Sequence, residues 1–185
     1  MRTKTIGSLA AALLFAQAAM AAESGPLAGE LFPHSLAASD QAGKPQSLES
    51  VMGEKGVAIL FVRSADWCPF CKGQLVDANR HLSAFRALGV DVVSISVDEV
   101  DEIAKFATEQ NIGYPMLADP KGDINLSLDI RDPQYPVGSA AFGVPRPTLY
   151  VVDRAGTIRL RYQEPTYRTR PDLDKVLADI KALGL

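Results

Sequence analysis

The sequence is poor in the residues that build disulfide scaffolds, metal centres and nucleic-acid surfaces. Among 185 residues there are two cysteines, two histidines and one tryptophan. Two cysteines cannot cross-link a small secreted domain of the disulfide-rich kind. There is no basic excess: 19 Lys and Arg stand against 22 Asp and Glu, a formal charge of −3. The electrostatic footprint of a nucleic-acid binder is therefore missing. Internal repeats are absent too, and no low-complexity tract follows residue 22. What is there is ordinary for a globular chain, 47% hydrophobic and 22% charged residues, which excludes disorder, collagen and coiled coil as descriptions of the whole. The length suits one domain with a substantial core.

The long uncharged run is at the start. Arg2 and Lys4 precede Ile6–Ala22, which is mostly Ala, Leu, Phe and Met, and Ala19-Met20-Ala21 has the small-x-small pattern of a cleavage site. This is the three-part plan of a secretory signal peptide, residues 1–21. As a membrane anchor the run is short and is diluted by Gly7, Ser8 and Gln17. Export, to a bacterial periplasm on this Ala-rich pattern, puts the cysteines in an oxidising compartment where a nearby pair can bond.

Residues 22–50 read as an extended, Pro- and Gly-punctuated lead-in, with one short strand near Ser35–Ala38. Val57–Val62 is a continuous apolar run and predicts a strand buried on both faces. From Pro69 to Leu88, Leu75, Ala78, Leu82 and Phe85 recur at helical spacing, and Gly89 stands where a C-terminal cap belongs. His81 falls on the face of Asp77 and Gln74, the place of a solvated histidine. Val90–Val97 predicts a second strand. Asp98 is positioned to cap a following helix with Val100, Ile103 and Ala107 on its buried side. Met116-Leu117 is a short strand; Thr148–Val152 and Thr157–Tyr162 flank a turn as a hairpin, and Asp172–Leu183 closes as a helix. Helices between the first strands make them parallel and the hairpin adds an antiparallel edge, so the expected fold is α/β with a mixed sheet. Asp129–Pro147, with four prolines and two glycines, fits no element; loops of that length are usually functional.

Chemistry concentrates at Trp67-Cys68-Pro69-Phe70-Cys71-Lys72, directly after the buried strand and at the start of the first helix. Two residues between the cysteines put both sulfurs within bonding reach there. Free N–H groups and the helix dipole favour an anion on Cys68. Its pKa is expected below the free value of about 8.5. Pro69 suits the first helical position, and Cys71, one turn further in, is expected to be shielded. Cys68 then attacks and Cys71 resolves the mixed disulfide. Arg63 can add positive potential, Asp66 turns the loop, and Trp67 offers a flat apolar platform. A structural disulfide has the same composition but closes a loop too short to stabilise much. A c-type haem site needs His where Lys72 stands. Zinc needs about four ligands, and only His34 and His81 remain to join the pair. No metal and no organic cofactor is expected.

Phe61–Cys71 resembles the active-site stretch of thioredoxin-like proteins, in particular the peroxiredoxin-like redoxins of the alkyl hydroperoxide reductase/thiol-specific antioxidant type. Tyr114–Pro120 and Arg146–Asp153 are similar to later segments of the same group, and the likeness spans residues 28–183. The resemblance implies a thioredoxin-like three-layer α/β/α domain. It also implies a cis-proline at Pro147 facing the cysteines, its bend presenting the Arg146 backbone to a bound chain. Arg146 itself is implied to lie near the reactive sulfur. One departure matters: where peroxiredoxins carry a proline and a Thr or Ser before the reactive cysteine, this chain has Phe61 and Ala65. Ser64 could substitute only with a shifted loop. On these grounds the first reading is an exported thiol–disulfide oxidoreductase acting on protein or small-molecule disulfides and restored by an upstream thiol reductant. The second is a peroxiredoxin-like peroxidase reducing hydroperoxides, with Cys68 passing through a sulfenic acid. A third is a copper or haem-pathway chaperone using two soft thiolates, for which no third ligand lies close in sequence.

Overall fold

The apolar run around Ile59 forms the central strand β3 (Gly56–Phe61), every residue of which is buried. The computed structural model describes residues 24–33 and 36–185. The signal peptide expected at 1–21 lies outside the described residues, as do His34 and Ser35. Within the lead-in, β1 (Ala38–Ser39) pairs antiparallel with β2 (Pro45–Gln46). Next comes a short helix, α1 (Leu48–Val51), capped by the Ser47 side chain.

Helix α2 (Pro69–Ala87) leads from β3 to β4 (Val90–Ser96), and the two strands pair in parallel. Gly89, at φ 77°, takes the left-handed conformation that ends α2. Helix α3 (Val100–Gln110) leads on to β5 (Met116–Ala118), parallel to β4. After α4 (Asp123–Ser127) and the 129–147 segment, β6 (Thr148–Asp153) returns antiparallel to β3 and β7 (Ile158–Gln163) antiparallel to β6. Helix α5 (Leu173–Ala182) closes the chain. The sheet order is β5-β4-β3-β6-β7, the mixed sheet with an antiparallel edge hairpin that the element order implied.

Both parallel connections step in the same direction from β3, and right-handed crossovers then place α2 and α3 on one face of the sheet. Alternation along each strand sorts side chains to two cores. Ala58, Leu60, Val92 and Val151 meet Leu75, Phe85, Ile103 and Ile180 of the long helices. Val57, Ile59, Val93 and Tyr150 meet Phe32, Leu36, Val51, Ile124 and Ile130, from short helices and connecting segments. The 129–147 segment is folded rather than featureless: Arg131 bridges Pro145, Asp132 N–H donates to the Val144 carbonyl at 2.9 Å, and the Arg131 guanidinium lies over the Phe142 ring.

His81 is not a freely solvated histidine. Its Nδ1 donates to the Asp77 carbonyl at 2.9 Å, and Nε2 faces Asp174 Oδ1 on α5 at 3.4 Å. The bond to Asp77 is the main cause of a raised pKa; burial opposes it, and the Asp77 and Asp174 charges reinforce it. The folded protein therefore holds the protonated form better than the unfolded chain does. This stabilisation is complete below the ordinary value of 6.5 and vanishes as pH rises through the raised folded value. We expect the thermal midpoints of the protein and of His81→Gln to converge as pH rises from below 6.5 into the mildly alkaline range. A gap that stays constant over that rise contradicts the pairing.

Candidate active site

Beyond β3 the chain must turn sharply to begin α2, and Ser64 shapes that turn. Its hydroxyl accepts from the N–H groups of Asp66 and Trp67 at 2.9 and 3.0 Å. Its proton goes to Asp98 Oδ1 at 2.6 Å. Asp98 is 2% exposed, and its Oδ2 also accepts from Ala65 N–H and Ser96 Oγ, at 2.6 and 2.7 Å. The sequence suggested Asp98 as a helix cap. The cap of α3 is instead Glu99, whose N–H donates to Glu102 Oε2, which frees Asp98 to face the loop from the end of β4. Ser64 has committed its only proton, so it does not replace the Thr or Ser missing at Ala65.

Cys68 is the N-cap of α2 and Pro69 its first residue, as the sequence predicts. The sulfurs of Cys68 and Cys71 are joined in a disulfide, Cα to Cα 5.2 Å. Cys71 N–H points at Cys68 Sγ at 3.4 Å, so a thiolate released on Cys68 would find a backbone donor aimed at it. Cys68 lines a cavity of about 240 Å³ with Arg63, Trp67, Pro69, Phe70, Tyr135 and Tyr167, whereas Cys71 is wholly buried.

Arg63 is 6% exposed and lies among three rings, its guanidinium carbon 5.0 Å from the Trp67 centroid, 4.9 Å from Tyr135 and 4.6 Å from Tyr167. Ring quadrupoles stabilise a desolvated cation at such distances. Nη2 donates to the Tyr135 hydroxyl at 3.0 Å, and buried Nε makes no hydrogen bond among the described residues. Tyr135 comes from the 129–147 segment and Tyr167 from the connection between β7 and α5. Both walls are absent from any local sequence pattern.

Arg146 and Pro147 are placed differently from their expectation. Thr148 pairs with Phe61, so the two residues before it do reach the sulfur end of the sheet. They line a neighbouring cavity with Asp132, Arg161 and Glu164 that shares only Tyr167 with the cysteine cavity. Arg146 Nη1 faces Ser24 Oγ at 3.4 Å. The peptide bond before Pro147 is trans, as are all those described. The Arg146 backbone is also in use: its N–H donates to the Ile130 carbonyl and its own carbonyl accepts from Thr148 Oγ1. The cis bend offering that backbone to a bound chain is thus corrected. Within the 129–147 segment, the stretch around Ile130 and Arg131 pairs with the stretch just before β6.

Like Tyr135 and Tyr167, Arg170 carries no signal in the sequence. Arg170 Nη2 lies 3.2 Å from Cys71 Sγ, across 99 positions of chain. Nothing in Arg168-Thr169-Arg170-Pro171 points to a cysteine.

A disulfide-bonded cysteine pair at a helix start, beyond the central strand of a mixed five-stranded sheet, stands on a thioredoxin-like fold. Solved structures share this fold: peroxidoxin BcpB from Mycobacterium tuberculosis superposes with a TM-score of 0.71 at 22% identity, over 86% of this chain and 97% of that one. Peroxiredoxin 6 of Arenicola marina gives 0.74 at 19%, over 86% and 74%. The AhpC/TSA family model matches residues 28–161, and the chain belongs to that family. A peroxiredoxin of Aeropyrum pernix is 31% identical over 166 residues, 86% of this chain and 63% of that protein. One of Pyrococcus abyssi is 30% identical over 133 residues, 69% and 58%. The chain thus spans about three-fifths of the length of these relatives.

Asp98→Ala would strip acceptors from Ser64 Oγ, Ala65 N–H and Ser96 Oγ together. With about 1–3 kcal/mol for each orphaned buried donor, we expect a stability loss of about 3 kcal/mol or more in denaturant unfolding. A loss under about 1 kcal/mol contradicts this role.

Proposed function

We propose that the protein is a thiol-dependent peroxidase whose reactive sulfur is Cys68 and whose resolving sulfur is Cys71. The reading rests on one observation: in a member of the AhpC/TSA family, Cys68 shares its cavity with a buried guanidinium, Arg63, hydrogen-bonded to a tyrosine hydroxyl. The Cys68 thiolate attacks the terminal oxygen of a hydroperoxide, the O–O bond breaks, Cys68 becomes a sulfenic acid, and the departing alkoxide takes a proton from water to leave as an alcohol. Arg63 and Tyr135 are the donors positioned to stabilise charge on the departing oxygen. Cys71 then attacks the Cys68 sulfenic acid, water departs, and the Cys68–Cys71 disulfide forms. An external dithiol restores the pair. The cavity of about 240 Å³ and its aromatic walls suit small or apolar hydroperoxides.

The sequence put disulfide exchange first because the peroxide-binding Thr or Ser is missing. Family membership reverses that order, and Arg63 supplies a donor from another position. Exchange with larger disulfides stays as the second reading, favoured by Trp67 and Phe70, 47% and 42% exposed at the rim. We place the mature protein outside the cytoplasm, beginning after Ala21; the mass of the exported product tests this.

Purified reduced protein should consume hydroperoxide in the presence of a dithiol. Cys68→Ser should abolish turnover, and Cys71→Ser, reduced beforehand and freed of dithiol, should consume a single burst of about one equivalent per chain. Arg63→Gln should slow the peroxide step by roughly one to two decades, the loss of one charge-assisted bond. Reduction of protein disulfides without peroxide consumption would select exchange instead.

A further inference from the structure

We propose that Arg170 is a catalytic residue of the disulfide-opening step: its guanidinium, on Cys71 Sγ, receives the negative charge that forms when the Cys68–Cys71 bond breaks. The assignment rests on the redox cycle above but not on the identity of the oxidant.

The direction of attack follows from access. Cys68 lines the cavity and Cys71 is fully buried. Both sulfurs are buried, Cys68 being 2% exposed, but of the two only Cys68 lines this cavity, so a dithiol thiolate that enters it meets Cys68 Sγ. As its sulfur bonds to Cys68, the disulfide breaks and the electron pair passes to Cys71 Sγ, which becomes a thiolate. The reductant's second thiolate then attacks its own sulfur in the mixed disulfide. It expels Cys68 as a thiolate and leaves the reductant as a disulfide. Two electrons reach the protein pair, and the rate depends on how well Cys71 leaves.

Arg170 is built to favour that leaving. Nη2 lies 3.2 Å from Cys71 Sγ. Nη1 donates to the carbonyls of Tyr167 and Thr169 at 2.7 and 2.6 Å, which fixes the guanidinium plane. Nε is buried with no hydrogen bond among the described residues. In the disulfide state this cation faces a neutral sulfur, a weak acceptor. Burial, and then the charge of Arg63, pull the Arg170 pKa down to about 10, with Glu164 opposing. It remains charged at neutral pH but is poorly compensated. A thiolate on Cys71 supplies the missing anion, so the contact strengthens as the bond opens, the condition for lowering a barrier rather than merely holding the ground state.

The test titrates the reduced protein by ultraviolet thiolate absorbance, which needs no reagent to reach a buried sulfur. In Cys68→Ser, adding Arg170→Gln should raise the Cys71 midpoint by about one to two pH units, and Arg170→Lys should recover part of that shift. In Cys71→Ser, the Cys68 midpoint should stay nearly unchanged. In the protein with both cysteines, at a pH above the Cys71 midpoint, Arg170→Gln should lower the equilibrium constant for reduction by a dithiol at least tenfold, about 30 mV. Arg170→Gln should also lower the thermal midpoint of the reduced form more than that of the oxidised form. An unchanged Cys71 midpoint overturns the assignment, as does a Cys68 midpoint that moves equally. So do equal losses of stability in the two redox forms. None of these measurements uses peroxide, so failure of the peroxidase reading shows separately, as absent peroxide consumption.

Discussion

The sulfur end of the sheet depends on the carboxylate of Asp98. Placed at the end of β4 and almost wholly buried, it takes hydrogen bonds from Ser64, Ala65 and Ser96. Two of these donors lie in the loop that leaves β3, so one side chain ties neighbouring parallel strands to the turn that must reverse into α2. A loop free to wander would leave the helix start undefined. With it clamped, Cys68 falls at the N-cap, where its backbone is extended and its sulfur accepts from the Cys71 N–H. A buried carboxylate is costly unless its oxygens are satisfied, and here the loop itself satisfies them.

Two cations serve the two sulfurs differently. Arg63 stands in the cavity that Cys68 lines, wrapped by Trp67, Tyr135 and Tyr167, and its environment is an aromatic cage rather than a carboxylate. A carboxylate there would neutralise the potential that favours a thiolate; rings stabilise the guanidinium while leaving that potential in place. Arg170 instead contacts the sheltered sulfur and is anchored by backbone carbonyls. Tyr167 links the two, since its ring packs on Arg63 and its carbonyl holds Arg170. The connection between β7 and α5 is therefore part of the surroundings of the cysteine pair, although it lies about a hundred positions from the cysteines.

The sequence by itself determined the features that local rules control. A continuous apolar run could only be a strand covered on both faces, and it became β3. Apolar residues at helical spacing between Pro69 and Gly89 set the length of α2, and a proline and a glycine marked its ends. Cysteines three apart at that helix start are held close by the first turn alone, so the pair needed no tertiary argument. The short helices α1 and α4 escaped notice because four or five residues carry too little periodicity to read.

Only the tertiary structure decided which distant side chains meet the sulfurs. Asp98 looked like a cap for the helix after it and turned back to the loop instead, because Glu99 could cap and the loop amides needed an acceptor. Arg146 reached the right end of the sheet through the register of Thr148 with Phe61, yet its backbone pairing with Ile130 set it in the next cavity. Tyr135, Tyr167 and Arg170 sit in segments of no regular pattern, and their positions follow from where the sheet order and the packing of α5 on α2 leave those segments. Spacing along a chain specifies contacts within a turn or a helix. Contacts between elements depend on strand register and on which face each crossover covers, and these are settled only when the whole core packs at once.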